Sequence, residues 1–345
     1  MLTVFAAAAA IWCIGAVMKT PKSLRWTMIG VLYVAVLLAQ LVFPATHPLR
    51  IATGGSVAPW LMIGGVAGMI VAYQRGLRWL RAKATPEEDT PVKAGRFTET
   101  ELNRYARHIV LREIGGPGQK KLKDAKVLVV GAGGLGSPAL LYLAAAGIGT
   151  IGVVDDDEVD NSNLQRQVIH QDKGIGMPKV HSAAEAMRAQ NPFVDVRPYQ
   201  RRLNDQDAEA LISDYDLVLD GTDNFDTRYL VNATCAALGK PLISGALTQW
   251  EGQVSVFDPA HDAPCYQCIF PEAPAPGLSP SCAEAGVVGP LPGVIGSIMA
   301  MEAVKLIAGA GSALRGEMLI YDGLYGETRK IGLKRRADCP TCGGK

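Results

Sequence analysis

Lys126-Val127-Leu128-Val129-Val130-Gly131-Ala132-Gly133-Gly134-Leu135-Gly136-Ser137 is an apolar, β-branched run that breaks into a glycine-rich turn. Val127–Val130 has no polar alternation, which suits a strand buried on both faces. Gly131, Gly133 and Gly136 form a G-x-G-x-x-G that opens a helix rich in Ala and Leu. Such glycines permit a sharp turn and let phosphates approach the helix N-terminus, where backbone N–H groups and the dipole attract anions. A second strand, Ile151–Val154, ends in Asp155, nineteen residues past Gly136. An acid at that distance reaches ribose hydroxyls. The stretch predicts a nucleotide pocket.

Outward from it, strand and helix alternate. Strands are expected near 127–130, 151–154, 194–199, 216–220 and 241–244, and helices near 136–146, 178–190, 205–213 and 225–238. This order predicts an α/β fold: a Rossmann-like, doubly wound, mostly parallel sheet with helices on both faces. After Gly252 hairpin-like strands follow (253–257, 318–321, 328–333), with one apolar helix near 294–308, so the C-terminal part is antiparallel. Upstream, Thr98 and Glu101 form a capping box for a helix reaching about Arg112. Pro271–Pro280 carries four prolines in ten residues and reads as a loop.

With 345 residues, more than one unit is expected. The balance of 34 Lys+Arg against 33 Asp+Glu leaves no basic footprint for nucleic acid. The first 75 residues are very apolar and nearly free of acids. Segments 2–18, 27–43 and 57–73 are each about 17 residues long, the low end of a bilayer span. We therefore expect residues 1–83 to be a membrane anchor of about three transmembrane helices, 84–95 a polar linker, and 96–345 the nucleotide-binding domain. Lys19, Lys22 and Arg25 precede the second segment and Arg75, Arg78, Arg81 and Lys83 follow the third, while the loop between holds only Arg50. The positive-inside rule then predicts an external N-terminus and a cytoplasmic catalytic domain.

The glycine motif alone also fits nicotinamide enzymes. Around it, however, stand Asn163-Leu164-Gln165-Arg166-Gln167, then Lys179 at a helix start, then Asp223-Asn224 after a strand. Several cations and an extra carboxylate on one sheet edge suit a triphosphate with magnesium. The seven cysteines include two C-x-x-C pairs, Cys265/Cys268 and Cys339/Cys342, a four-thiolate set of the kind that closes a structural zinc site. Cys13 and Cys235 read as packing residues. His108, His170 and His181 have no ligand-like spacing and receive no role.

Arg104-Tyr105-Ala106-Arg107, the glycine turn, Ser162–Gln167, Pro178-Lys179, Gly221–Asn224 and both C-x-x-C pairs together resemble the E1-like activating enzymes of the molybdopterin-synthase and thiamine sulfur-carrier adenylyltransferase type. The match runs from about Arg96 onward and leaves the first 90 residues uncovered. The resemblance implies ATP, Mg²⁺ and Zn²⁺ as cofactors. It places Gly131, Gly133, Gly134 and Gly136 at the phosphates and Asp155 at the ribose. Ser162, Asn163, Leu164, Gln165, Arg166, Lys179 and Asn224 would bind the nucleotide, with Asp223 also on magnesium. Arg107 would reach into the partner's site of a homodimer. The reaction implied is adenylation of the terminal glycine carboxylate of a ubiquitin-like sulfur-carrier protein ending in Gly-Gly. A separate protein would donate the sulfur. Cys282 follows the Pro-rich loop and is either a covalent partner of the carrier or a thiol with no part in adenylation. The readings kept beside this one are adenylation of a small or tRNA-attached carboxylate, an NAD-dependent oxidoreductase, and a scaffold with an inactive nucleotide site.

Overall fold

The computed structural model describes residues 1–83, 97–274 and 285–343. The expected linker 84–95, the Pro-rich stretch beyond Pro274, and Cys282 lie outside them. The chain divides into two units, Met1–Pro91 and Val92–Lys345.

In the second unit five strands lie parallel: β1 (Lys126–Val130), β2 (Thr150–Asp155), β3 (Asp195–Gln200), β4 (Leu217–Asp220) and β5 (Leu242–Leu247). Three antiparallel strands extend the sheet: β6 (Glu251–Phe257), β7 (Glu317–Asp322) and β8 (Glu327–Gly332). Their order is β3-β2-β1-β4-β5-β6-β7-β8, so the expected mixed sheet is present. Side chains of β1 alternate between two cores, as a period of two requires. Val127 and Val129 join Leu140, Leu143, Met187, Ile295 and Met299, from helices Gly136–Ala146, Lys179–Gln190 and Pro290–Ala308. Leu128 and Val130 join Ile212, Tyr215 and Val231 on the other face, beside helices Asp205–Ser213 and Phe225–Leu238. Complete burial of Leu128 is worth roughly 1.5–3 kcal/mol.

Register places the site. Val130 lies opposite Val154 on one side and Asp220 on the other. The next residues, Gly131, Asp155 and Gly221, therefore emerge together at the carboxyl edge.

Two expectations are corrected. The helix from Thr98 does start with its capping box, but it ends at Arg104, followed by Ala106–Ile109 and Gly115–Asp124. The break falls at Tyr105, which is buried and whose hydroxyl accepts a hydrogen bond from Asn191 Nδ2 at 2.7 Å. That tertiary anchor overrides local propensity.

The second correction concerns the spans. The first unit holds helices Leu2–Val17, Lys22–Val42, Pro48–Ala52 and Ala58–Lys83. Among the described residues two helices have the length and apolarity to cross a bilayer, Lys22–Val42 and Pro290–Ala308, not the three expected. Pro290–Ala308 is half-buried and carries core residues of the sheet. Leu2–Val17 has 16 residues. At ~1.5 Å per residue this is ~24 Å, short of a hydrocarbon core of ~30 Å. Ala58–Lys83 is long, but it runs on from its apolar part into Arg75, Arg78, Arg81 and Lys83. The apolar surface of this unit is nonetheless extensive: Leu2, Val17, Leu41 and Val42 are largely exposed, and among the described residues Val4, Val36 and Trp60 form its buried hydrophobic cluster.

Candidate active site

The carboxyl edge opens into a cleft of about 810 Å³. Gly131, Gly133, Gly134, Asp155, Arg166, Lys179, Asp223 and Asn224 all line it. Gly131 turns with φ 94°, and a Cβ on Gly136 would sit 2.0 Å from the Gly131 carbonyl oxygen. Only glycine allows the helix Gly136–Ala146 to begin so close to β1.

Asp155 receives two backbone donors, Ala132 N–H on Oδ2 at 2.7 Å and Asp157 N–H on Oδ1 at 2.9 Å. Burial pushes its carboxyl above the usual range, against those donors. Lys179 is buried, and its ammonium pairs with Asp157 Oδ2 at 2.7 Å. Arg166 is half-buried and held by Asn163, whose Oδ1 accepts from Nη2 at 2.9 Å, and by the Ser162 carbonyl at 3.2 Å. Asn163 thus aims the guanidinium.

Not every expected residue reaches the cleft wall. Gly136 acts sterically, beneath it. Ser162 bonds back to Asp160 Oδ1 through both its N–H and its hydroxyl. Asn163, Leu164 and Gln165 are absent from the lining. Gln165 lies against Gly289, where a Cβ would meet its carbonyl oxygen at 2.6 Å. Asn224 does line the cleft, and its side chain also caps helix Phe225–Leu238, accepting from Thr227 N–H at 2.9 Å. Arg104 is tied to the Gln190 carbonyl at 2.6 Å, and Arg107 is exposed away from the cleft.

Asp157 and Arg228 are among the cleft residues that had no role in the sequence reading. Asp157 belongs to the run Asp155-Asp156-Asp157, whose carboxylates lie close enough together to hold a cation. The run itself was the available signal. Arg228, four residues after the cap Asn224, is buried beneath the Asp223 loop. It donates to Asp220 Oδ2 at 3.1 Å, Ser244 Oγ at 2.8 Å, the Gly245 carbonyl at 2.7 Å and the Thr222 carbonyl. Its charge is spent on Asp220, so it secures the loop that presents Asp223.

A family model described as the ThiF family matches residues 105–341. The chain belongs to the ThiF family. It is 50% identical over 252 residues to a sulfur carrier protein adenylyltransferase of Thermus thermophilus, covering 72% of this chain and 93% of that one. It is 48% identical over 244 residues to a SAMP-activating enzyme E1 of Haloferax volcanii, covering 71% and 90%. A murine relative named adenylyltransferase and sulfurtransferase MOCS3 is 45% identical over 270 residues, 75% of this chain and 58% of the relative. Among solved structures, E. coli MccB with AMPCPP and MccA superposes with a TM-score of 0.63 at 21% identity, over 72% of this chain and 76% of that one, a likeness of fold.

In this ThiF-family chain the two C-x-x-C pairs meet. Cys265 Sγ lies 3.9 Å from Cys268 and 3.6 Å from Cys339, and Cys268 lies 3.4 Å from Cys342. All four are buried. A tetrahedral zinc with Zn–S of ~2.3 Å needs sulfurs ~3.8 Å apart, so the donor set fits the ion. The knot is tied to the nucleotide side of the sheet, since Tyr266 N–H donates to Asn232 Oδ1 at 2.7 Å on helix Phe225–Leu238.

Proposed function

We propose that this chain uses ATP to adenylate the C-terminal glycine carboxylate of a ubiquitin-like sulfur-carrier protein. One observation carries the reading: the glycine turn, Arg166, Lys179 and Asp223 converge on a single cleft, within a ThiF-family chain whose 50%-identical relative is named a sulfur carrier protein adenylyltransferase. A carboxylate oxygen attacks the α-phosphorus of ATP, and the bond to the β-phosphate oxygen breaks. Pyrophosphate leaves with that electron pair. Two anions must meet, so the residues act by cancelling repulsion and fixing geometry. The nucleophile is already ionised and needs no general base. Arg166 and Lys179 face the phosphates, Asp155 the ribose. Magnesium, when bound, would neutralise charge between the phosphates and Asp223. Hydride transfer requires neither this cation set nor four buried thiols, which favours the adenylation reading over the oxidoreductase.

The same proposal extends to assembly and place. Arg107, exposed and outside its own cleft, is available to a partner's site in a homodimer. A separate protein would supply sulfur to the adenylated carrier. The exposed apolar surface of Met1–Pro91, with Lys22–Val42 as its span-length helix, supports attachment to a membrane with the catalytic unit on the cytoplasmic, ATP-containing side.

The test is ATP–pyrophosphate exchange by the full chain in detergent, with and without a carrier ending in Gly-Gly. Exchange should require the carrier and fall roughly 100-fold or more in Arg166→Ala. Binding of ATP without exchange for any carrier would refute the reading.

A further inference from the structure

His170 is buried, 6% exposed, behind the glycine turn, and nothing in the proposed reaction uses it. Its Nε2 lies 2.9 Å from the Ala132 carbonyl oxygen and its Nδ1 3.0 Å from Ser182 Oγ. A carbonyl oxygen can only accept, so Nε2 carries the proton and Nδ1 accepts from the Ser182 hydroxyl. Ser182 stands on the helix that begins with Lys179, its N–H donating to the Pro178 carbonyl at 3.1 Å.

The consequence lies in the peptide planes of the turn. The Ala132 carbonyl and the Gly133 N–H belong to one trans peptide, so they point in opposite directions. Fixing the oxygen on the buried imidazole directs the Gly133 N–H away from it, and Gly133 lines the cleft. The preceding peptide is fixed as well, by Ala132 N–H on Asp155 Oδ2. Asp155 in turn receives Asp157 N–H, and Asp157 holds the Lys179 ammonium. A closed circuit results, from the turn through Asp155, Asp157, Lys179 and Ser182 back to His170.

We propose that His170 is a positioning residue: through the Ala132 carbonyl it aims the Gly133 N–H at the phosphates and keeps the turn in register with the Lys179 helix. This rests on the cleft binding ATP, as the adenylation reading requires. Glutamine can place an amide N–H where Nε2 sits, whereas the shorter asparagine reaches only the Nδ1 position. The full chain in detergent is therefore compared as wild type, His170→Gln and His170→Asn. Ser255→Ala serves as a control, because it deletes the hydrogen bond from the buried Ser255 to the Glu317 carbonyl, away from the cleft lining.

Affinity is read by calorimetry with a non-hydrolysable ATP analogue and, by competition, with adenosine, which has no phosphate. His170→Asn should bind the ATP analogue roughly five- to tenfold more weakly, the size of one to two net hydrogen bonds, with adenosine affinity within about twofold of wild type. His170→Gln and Ser255→Ala should stay within about twofold for both ligands. Equal ATP affinity in the Asn and Gln variants would overturn the role, as would parallel loss of ATP and adenosine binding. A wild-type chain that binds no ATP analogue would overturn the adenylation reading itself, and this role with it.

Discussion

The two units of this chain use the same aliphatic residues and place them oppositely. In the α/β unit Leu128, Leu140 and Leu143 are fully buried, whereas in the N-terminal unit Leu38 is 55% and Val42 72% exposed. The difference teaches that hydrophobic content alone does not assign a core. Strand β1 sends alternate side chains to two different faces, and each face finds helices to cover it. Helix Lys22–Val42 is apolar around most of its circumference and has only Val36 and Gln40 buried. One unit has solved the hydrophobic problem internally; the other leaves it to its surroundings.

The largest effect expected on this contrast comes from the four-cysteine knot of the α/β unit, whose donor set fits zinc. Cys339→Ser should abolish the binding of about one zinc per chain. It should cost at least ~3 kcal/mol, roughly 6–12 °C in the Tm of that unit. Metal analysis with scanning calorimetry checks both, and an unchanged Tm would separate the metal from the fold. Next, Leu128→Ala should destabilise by ~2–5 kcal/mol, while Leu38→Ala changes the denaturation of the α/β unit by less than ~0.5 kcal/mol. Equal effects would erase the distinction between the units.

Leu38→Arg sharpens the contrast from the other side. A charge at an exposed position of Lys22–Val42 costs ~2.5–3.5 kcal/mol if that helix lies in a bilayer centre. Cell fractionation should then show the protein leaving the membrane pellet, and an unchanged distribution would count against membrane attachment. The smallest effect is a pH dependence. Burial, first of all, holds the His170 imidazole below its ordinary value, with Lys179 acting in the same direction and the Ala132 bond opposing. The unfolded chain therefore takes up its proton first as pH falls. Stability is complete above the unfolded value of ~6.5 and declines below it, by at most ~1.4 kcal/mol per pH unit until the folded imidazole is protonated. Tm measured at pH 7.5 and 5.5 should show this decline, and His170→Gln should reduce it.

Much of the α/β unit was legible because parallel strands are continuous apolar runs and their helices carry recognisable caps. Helix Phe225–Leu238 begins at Asn224 and stops at Gly239 with φ 63°, and both signals are local. The cleft was legible for the same reason: Gly131, Asp155 and Asp223 each follow a strand, and a parallel sheet aligns strand ends. What escaped was non-local. The helix Gly115–Asp124 opens with Gly-Gly-Pro-Gly, a loop by propensity, yet Leu122 is fully buried in the core. Lys179 finds Asp157 across 22 residues, and His170 finds Ala132 across 38. No spacing rule connects such pairs. The span count failed for a simpler reason, since apolar run length does not show where a helix begins and ends.

The most direct test of the central claim is mass spectrometry of a Gly-Gly-ended carrier incubated with the full chain, ATP and magnesium. The account predicts a carrier heavier by one AMP on its terminal glycine with wild type, and roughly 100-fold less of it with Asp223→Ala. ATP turnover that leaves the carrier unmodified, or equal adenylation by the Asp223→Ala chain, would contradict it.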